Sequence, residues 1–184
     1  MEALTLDQLR AVMISCKPDR AALFLDPINQ TMVEFQIDET AQRVACFLAQ
    51  IGHESGDLRY VRELASGEAY EGRRDLGNTE PGDGQRFKGR GLIQITGRSN
   101  YQRLGEALGI ELTIEPEKLE EPSLATRSAG WFWKLRNLNH YVDENDFTTL
   151  TKRINGGLNG LSDRLEHYKR ACRMLNITPM IVSD

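Results

Sequence analysis

Gly52-His53-Glu54-Ser55-Gly56 sets a carboxylate between two glycines at the end of an apolar helical run. Val44, Phe47, Leu48 and Ile51 fall on one helical face at i, i+3, i+4 and i+7, so residues 40–51 read as a buried helix. Glu54 stands three positions beyond Ile51, near the buried face, where Gly52 and Gly56 are expected to open the backbone. Two further stations share this character. Gly89-Arg90-Gly91-Leu92-Ile93-Gln94-Ile95-Thr96 is a glycine-spaced turn running into β-type residues with amide and hydroxyl side chains. Ile154-Asn155-Gly156-Gly157 follows another helical run. Together the three suggest the wall of a cleft for a neutral, hydroxyl-rich polymer.

The surrounding chain supports an ordinary globular fold. Its 184 residues suffice for one domain, 1–184, with a proper core. Apolar residues make up 40% and charged residues 27%, unlike a disordered chain. No apolar run reaches the ~20 residues of a membrane helix, so membrane insertion is not expected. The net charge of −4 argues against a nucleic-acid partner. Met1 to Arg10 carries Glu2 and Asp7 and lacks the pattern of a secretory signal, so synthesis in the cytoplasm is expected. Cys16, Cys46 and Cys172 are odd in number and widely spaced, and read as buried reduced thiols.

Thr5 is a plausible N-cap for a helix carrying Leu6, Leu9, Val12 and Met13, and Pro18 either ends it or starts the next segment. From Asp57 to Gly91 the chain turns glycine-rich and charged, an irregular lobe with short strands expected at 59–63 and 92–96. Helical patterns return at Tyr101, Leu104 and Leu108 with Gly109 as C-cap, at 123–135, at 147–154, and from Leu161 to Leu175. The expectation is a mainly α, α+β domain whose helical body and smaller loop-rich lobe flank a substrate cleft. No apolar helix face is left over, so a monomer is expected.

His53-Glu54-Ser55-Gly56, Gly89 to Thr96 with Asn100-Tyr101, and Ile154-Asn155-Gly156-Gly157 resemble glycoside hydrolase family 19. The phage and prophage endolysin branch is the closer likeness. It shares an opening like Leu6-Asp7-Gln8-Leu9-Arg10 and a middle like Ala69-Tyr70-Glu71-Gly72-Arg73 to Leu76-Gly77-Asn78-Thr79 and Pro81-Gly82-Asp83-Gly84. The likeness spans about Leu4 to Leu175 and implies a lysozyme-like fold in the broad sense. It also implies cleavage of β-1,4 bonds in an N-acetylated amino-sugar polymer. Peptidoglycan is the expected substrate and partner, with chitin or its oligomers as the alternative. A non-catalytic wall-binding homologue is a third reading, against which the presence of both glutamates counts. In a phage setting the protein would reach the wall after holin-dependent release.

Glycosidic hydrolysis needs an acid for the leaving oxygen and a second carboxylate for the other half of the reaction. Glu54, at the end of an apolar helix, is the expected acid. Glu63, Glu68, Glu71 and Asp75 all lie downstream. The spacing of phage-type members, nine positions, selects Glu63, while the wider plant spacing points to Glu71 or Asp75. The family inverts the anomeric carbon, so Glu63 would be a general base acting through water, and Thr96 would position that water. By motif, Gln94, Asn100 and Asn155 map onto sugar-binding residues, and Arg164 onto an arginine that anchors the acids. Tyr101 is either a stacking platform for sugar or a core residue. His53 either orients Glu54 or is structural. Within Arg86-Phe87-Lys88-Gly89-Arg90, Arg90 reads as structural and Lys88 is open between a solvated charge and a contact for anionic wall groups. His53, His140 and His167 are scattered outside any H-E-x-x-H run, so neither metal nor cofactor is expected.

Overall fold

The protein is described from a computed structural model covering residues 1–181. Helix α1 (Leu6–Val12) is closed at its start by a reciprocal cap. The Thr5 hydroxyl accepts from Gln8 N at 3.3 Å, and Gln8 Oε1 accepts from Thr5 N at 2.9 Å. Helix α2 (Pro18–Glu34) begins on Pro18, whose missing N–H costs nothing at a helix start. It buries Ala21, Phe24, Ile28, Thr31 and Met32. No helix was expected there from the sequence. Pro27 lies inside it and hides the periodicity, because proline removes an internal hydrogen bond.

Helix α3 (Ala41–Ser55) is the axis of the body. Thr40 caps it, and every residue from Val44 to Gly52 is buried. A helix apolar nearly all round must lie inside the molecule. It runs four residues beyond the expected end and stops at Gly56, whose left-handed φ of 57° terminates it. Gly52 therefore does not open the backbone. It sits within the helix where α9 (Leu161–Leu175) packs along α3, and a Cβ there would stand 2.5 Å from His167 Cδ2.

The lobe after α3 is held by side chains rather than by strands. The two expected strands shrink to single antiparallel bridges, Arg62 with Arg90 and Arg90 with Ile95. Arg90 and Ile95 exchange both backbone bonds, at 3.1 and 2.7 Å, so residues 91–94 are consumed by a turn rather than extended. Short helix α4 (Asp83–Arg86) lies across this lobe. Glu71 accepts from the amides of Gly82 and Gly84 at 2.7 and 2.8 Å. Asp83 is buried against Arg98, the first residue of α5 (Arg98–Leu108). Asn78 accepts from Arg98 N at 2.9 Å and donates to the Tyr70 carbonyl at 2.9 Å.

Helices α6 (Pro122–Leu135), α7 (Leu138–Asp143) and α8 (Phe147–Asn155) complete the body, with α2 packed against α6. Trp133 is fully buried and donates Nε1–H to Asn139 at 2.7 Å, so it is a core residue. The main core gathers around α3, and a smaller one joins Phe87, Ile95, Tyr101, Leu104, Leu112 and Leu119 beneath the lobe. Trp131 and Phe132 touch both. The architecture is mainly helical, a body and a loop-rich lobe. Among the described residues no helix is long and apolar enough to cross a membrane.

Candidate active site

Glu54 occupies the last turn of α3 with its side chain 22% exposed. Arg164, buried at 1% exposure on the first turns of α9, donates Nη2–H to Glu54 Oε1 at 2.5 Å. The same guanidinium gives Nη1–H to Gln50 Oε1 at 2.6 Å and Nε–H to the Asn159 carbonyl at 3.3 Å. Gln50 in turn donates to Thr151 Oγ1 of α8 at 3.1 Å. A buried arginine is tolerable only when its donors are matched, and here each of its three nitrogens has a partner. The result grips one carboxylate oxygen of Glu54, while Oε2 takes no hydrogen bond from any described residue.

Glu63 lies on the lobe. Its backbone is fixed by the bond from its N–H to the Gly89 carbonyl at 2.9 Å. Its Oε2 accepts from the Tyr70 hydroxyl at 2.8 Å. That hydrogen bond, with burial second, pushes the Tyr70 phenol above its ordinary range, so Tyr70 stays a donor. Glu63 Oε1 is buried and has no partner. The competing carboxylates are otherwise engaged: both oxygens of Glu71 hold backbone amides, and Asp75 is an exposed ion pair with Arg73. Glu68 is exposed and takes a 3.3 Å contact from Gln85.

Gln94 is exposed at the turn, and its amide lies over Gly89, where a Cβ would come within 2.6 Å of Oε1. Gln94 thus stands beside the strand pairing that carries Glu63. Thr96 is half-buried and lends its carbonyl to Asn100 Nδ2 at 2.8 Å, which holds the segment to α5. Asn155 is half-buried at the end of α8, but the helix cap is Gly156, with φ of 74°. The Asn155 amide makes no capping bond, and its buried Nδ2 has no partner.

Tyr101, Arg164 and His53 are each fixed by neighbours within the fold. Tyr101 is fully buried, packs edge-on against Phe87 at 5.3 Å, and donates to the Lys88 carbonyl at 2.6 Å. It is core, not a stacking platform. Arg164 bonds Glu54, the contact expected of an arginine that anchors the acids, so it is a positioning residue. His53 does not reach Glu54. Its Nδ1 meets Asp163 Oδ2 at 2.7 Å, and its ring fills the space a Cβ on Gly160 would take. In the basic run, Arg90 bonds Glu120, Arg86 O and Tyr101, a structural role. Lys88 ties the Ala65 carbonyl at 3.1 Å. Tyr70 and Gln50 were not singled out by the sequence. Tyr70 stood in plain view seven positions after Glu63, within a stretch that carried the resemblance. Among the described residues no group of three or more His, Cys, Asp or Glu converges as a ligand set. The apolar hollow of about 430 Å³ between residues 1–4 and α2 is lined by none of the candidate catalytic or sugar-binding residues.

The arrangement presents one carboxylate pinned by arginine with a free oxygen, a second held by a phenol, and amides without partners. The family model for chitinase class I, glycoside hydrolase family 19, matches residues 32–143. A glycosyl hydrolase family 19 domain-containing protein of Haemophilus influenzae is 35% identical over 157 residues, covering 68% of this chain and 76% of that one. An endochitinase of Arabidopsis thaliana is 37% identical over 145 residues, covering 75% of this chain and 50% of that one. The chain thus spans about half the length of the plant relative. Chitinase C from Streptomyces griseus superposes with a TM-score of 0.79 at 22% identity, over 98% of this chain and 79% of that one. A bacterial family 19 chitinase gives 0.81 at 21% identity, over 98% of both. At such identities the structural likeness establishes the fold.

Proposed function

This chain belongs to glycoside hydrolase family 19, and from that premise we propose that Glu54 and Glu63 cut a β-1,4 bond between N-acetylated amino sugars by inversion. Glu54 delivers the proton on its free oxygen to the glycosidic oxygen as the C–O bond breaks. Water attacks the anomeric carbon from the opposite face and passes its proton to Glu63. Thr96 holds that water, and proton exchange with solvent resets both acids. A β-linked substrate therefore yields the α-anomer first.

The observation that carries this reading is the pair of orphaned atoms. Among the described residues, Glu63 Oε1 and Asn155 Nδ2 are the buried side-chain nitrogen and oxygen atoms without a partner. Leaving such atoms unpaired costs about 1–3 kcal/mol each, which a fold sustains where a ligand or reacting water will pair them. Both were already named by motif, on opposite sides of the molecule's division into lobe and body.

Peptidoglycan is the proposed polymer, supported by the sequence likeness to phage-type members. Chitin is the second reading, favoured by the endochitinase names of the plant relatives. Digestion of purified peptidoglycan and of colloidal chitin in parallel, with mass analysis of the new reducing ends, tests both. Hydrated reducing ends from peptidoglycan support the proposal. Release from chitin alone selects the second reading, and anhydro products from either polymer contradict the hydrolytic mechanism.

A further inference from the structure

We propose that the hollow between the α1–α2 connection and the turn after α3 is an anion-binding pocket for the carboxylate or phosphate of a charged wall-glycan unit. The inference deepens the peptidoglycan reading and rests on it for the identity of the polymer. Ser15, Cys16, Lys17, Arg20, Asp57 and Arg59 line a cavity of about 400 Å³, within the range of small-molecule sites. Three of the six are cations, on a chain whose net charge is −4. Several arginines elsewhere are matched to carboxylates: Arg43 to Asp143, Arg98 to Asp83, Arg127 to Glu34 and Arg164 to Glu54.

Lys17, Arg20 and Arg59 have no such match among the described residues. Arg20 gives Nε–H to the Leu58 carbonyl and lies over the Phe24 ring at 5.2 Å, which leaves both of its terminal nitrogens without a partner. Arg59 lies over the Tyr60 ring at 5.1 Å. The one acid in the wall, Asp57, does not neutralise them. Its Oδ1 meets His167 Nε2 at 2.7 Å and its Oδ2 accepts from Ser15 N at 2.8 Å. Guanidinium and ammonium groups that line one concave site without a carboxylate partner select compact anions over neutral sugars.

The position gives the pocket a use. Asp57 and Arg59 lie on the segment that joins Glu54 to Glu63. An anionic group seated there would tether a wall strand to the segment that carries both glutamates. Chitin has no such group, whereas peptidoglycan offers a lactyl carboxylate wherever its muramic unit bears no peptide, and phosphate-bearing wall polymers carry phosphate.

The test is a ¹⁵N NMR titration of the full chain with N-acetylmuramic acid, inorganic phosphate and, as neutral control, N-acetylglucosamine. The variant is Lys17→Gln with Arg59→Gln, both exposed and outside the catalytic set, so that folding is retained. N-acetylmuramic acid or phosphate should shift the amides around Lys17, Arg20 and Arg59, with affinity falling about tenfold in the variant. Whichever anion binds more tightly names the source. Equal shifts from the neutral sugar, or anion binding undiminished in the variant, overturn the pocket. In turnover at low salt, the variant should raise KM on peptidoglycan about tenfold and leave cleavage of chito-oligosaccharides unchanged. Equal loss on both substrates also overturns it. If the wild type binds the anions but cuts only chitin, the pocket stands and the peptidoglycan reading falls.

Discussion

At Glu54 a single oxygen is left to do chemistry, because Arg164 holds the other at 2.5 Å. Glu54→Gln keeps the shape of the group and removes its proton. Turnover should fall by about 10²–10⁴-fold with the melting temperature little changed; near-normal turnover in a folded Glu54→Gln protein would remove Glu54 from the mechanism. Tyr70 acts on Glu63 through one hydrogen bond, of a kind worth about 1.5–3 kcal/mol when the acceptor is charged. Tyr70→Phe should therefore lower kcat by roughly tenfold or more and leave KM nearly unmoved. A change in KM alone would make Tyr70 a sugar contact instead. Asn155→Ala, on a Glu54→Gln background that binds without cutting, should weaken oligosaccharide affinity by about 1–3 kcal/mol. Calorimetric titration reads the affinity, and a lowered melting temperature with unchanged affinity would assign Asn155 to structure.

The element that organises the site is the contact of α3 with α9, and Gly52 and Gly160 permit it. At Gly52 a methyl group would meet His167 Cδ2 at 2.5 Å. His167 cannot swing aside, because Asp57 and the Asp163 carbonyl hold its two ring nitrogens at 2.7 and 2.8 Å. Alanine would gain about 1 kcal/mol of helix propensity over glycine, yet overpacking a fixed neighbour costs about 1–3 kcal/mol. Gly52→Ala should therefore lower stability on balance, seen as an earlier urea midpoint, and a later midpoint would show that the helices can separate freely. Much of this element was legible in the sequence, since the Thr5 cap, the Val44–Ile51 stripe and the Gly109 stop are local signals. Helix α2 was hidden by Pro27, and the lobe strands were overread because β-type residues around Gly91 serve a turn. Glu63 was reached by spacing within a family likeness. Gln50 and Tyr70 were not reached, because their roles depend on partners distant in the chain or on a fold of the lobe that no local pattern announces.

For the whole molecule, the buried pair of His167 and Asp57 ties stability to pH. Burial pulls the His167 imidazole down, but hydrogen bonds to Asp57 and the Asp163 carbonyl outweigh it and hold it above the ordinary 6.5. Burial pushes the Asp57 carboxyl up, but hydrogen bonds from His167 and Ser15 outweigh it and hold it below 3.8. The imidazole's contribution is complete below pH 6.5 and is lost as pH rises through its raised value. The carboxylate's contribution is present above pH 3.8 and is lost as pH falls through its lowered value. Melting temperature should thus be highest between these limits and decline above pH 6.5. His167→Gln should flatten the alkaline decline, and an unchanged slope would mean that the pair does not govern it. The central claim, however, is that a lobe carboxylate and a body carboxylate act together through water. Proton NMR of the first product from whichever polymer is cut reads this directly. The account predicts the α-anomer from wild type and its loss in Glu63→Gln; a β-anomer first, or full activity in Glu63→Gln, would contradict it.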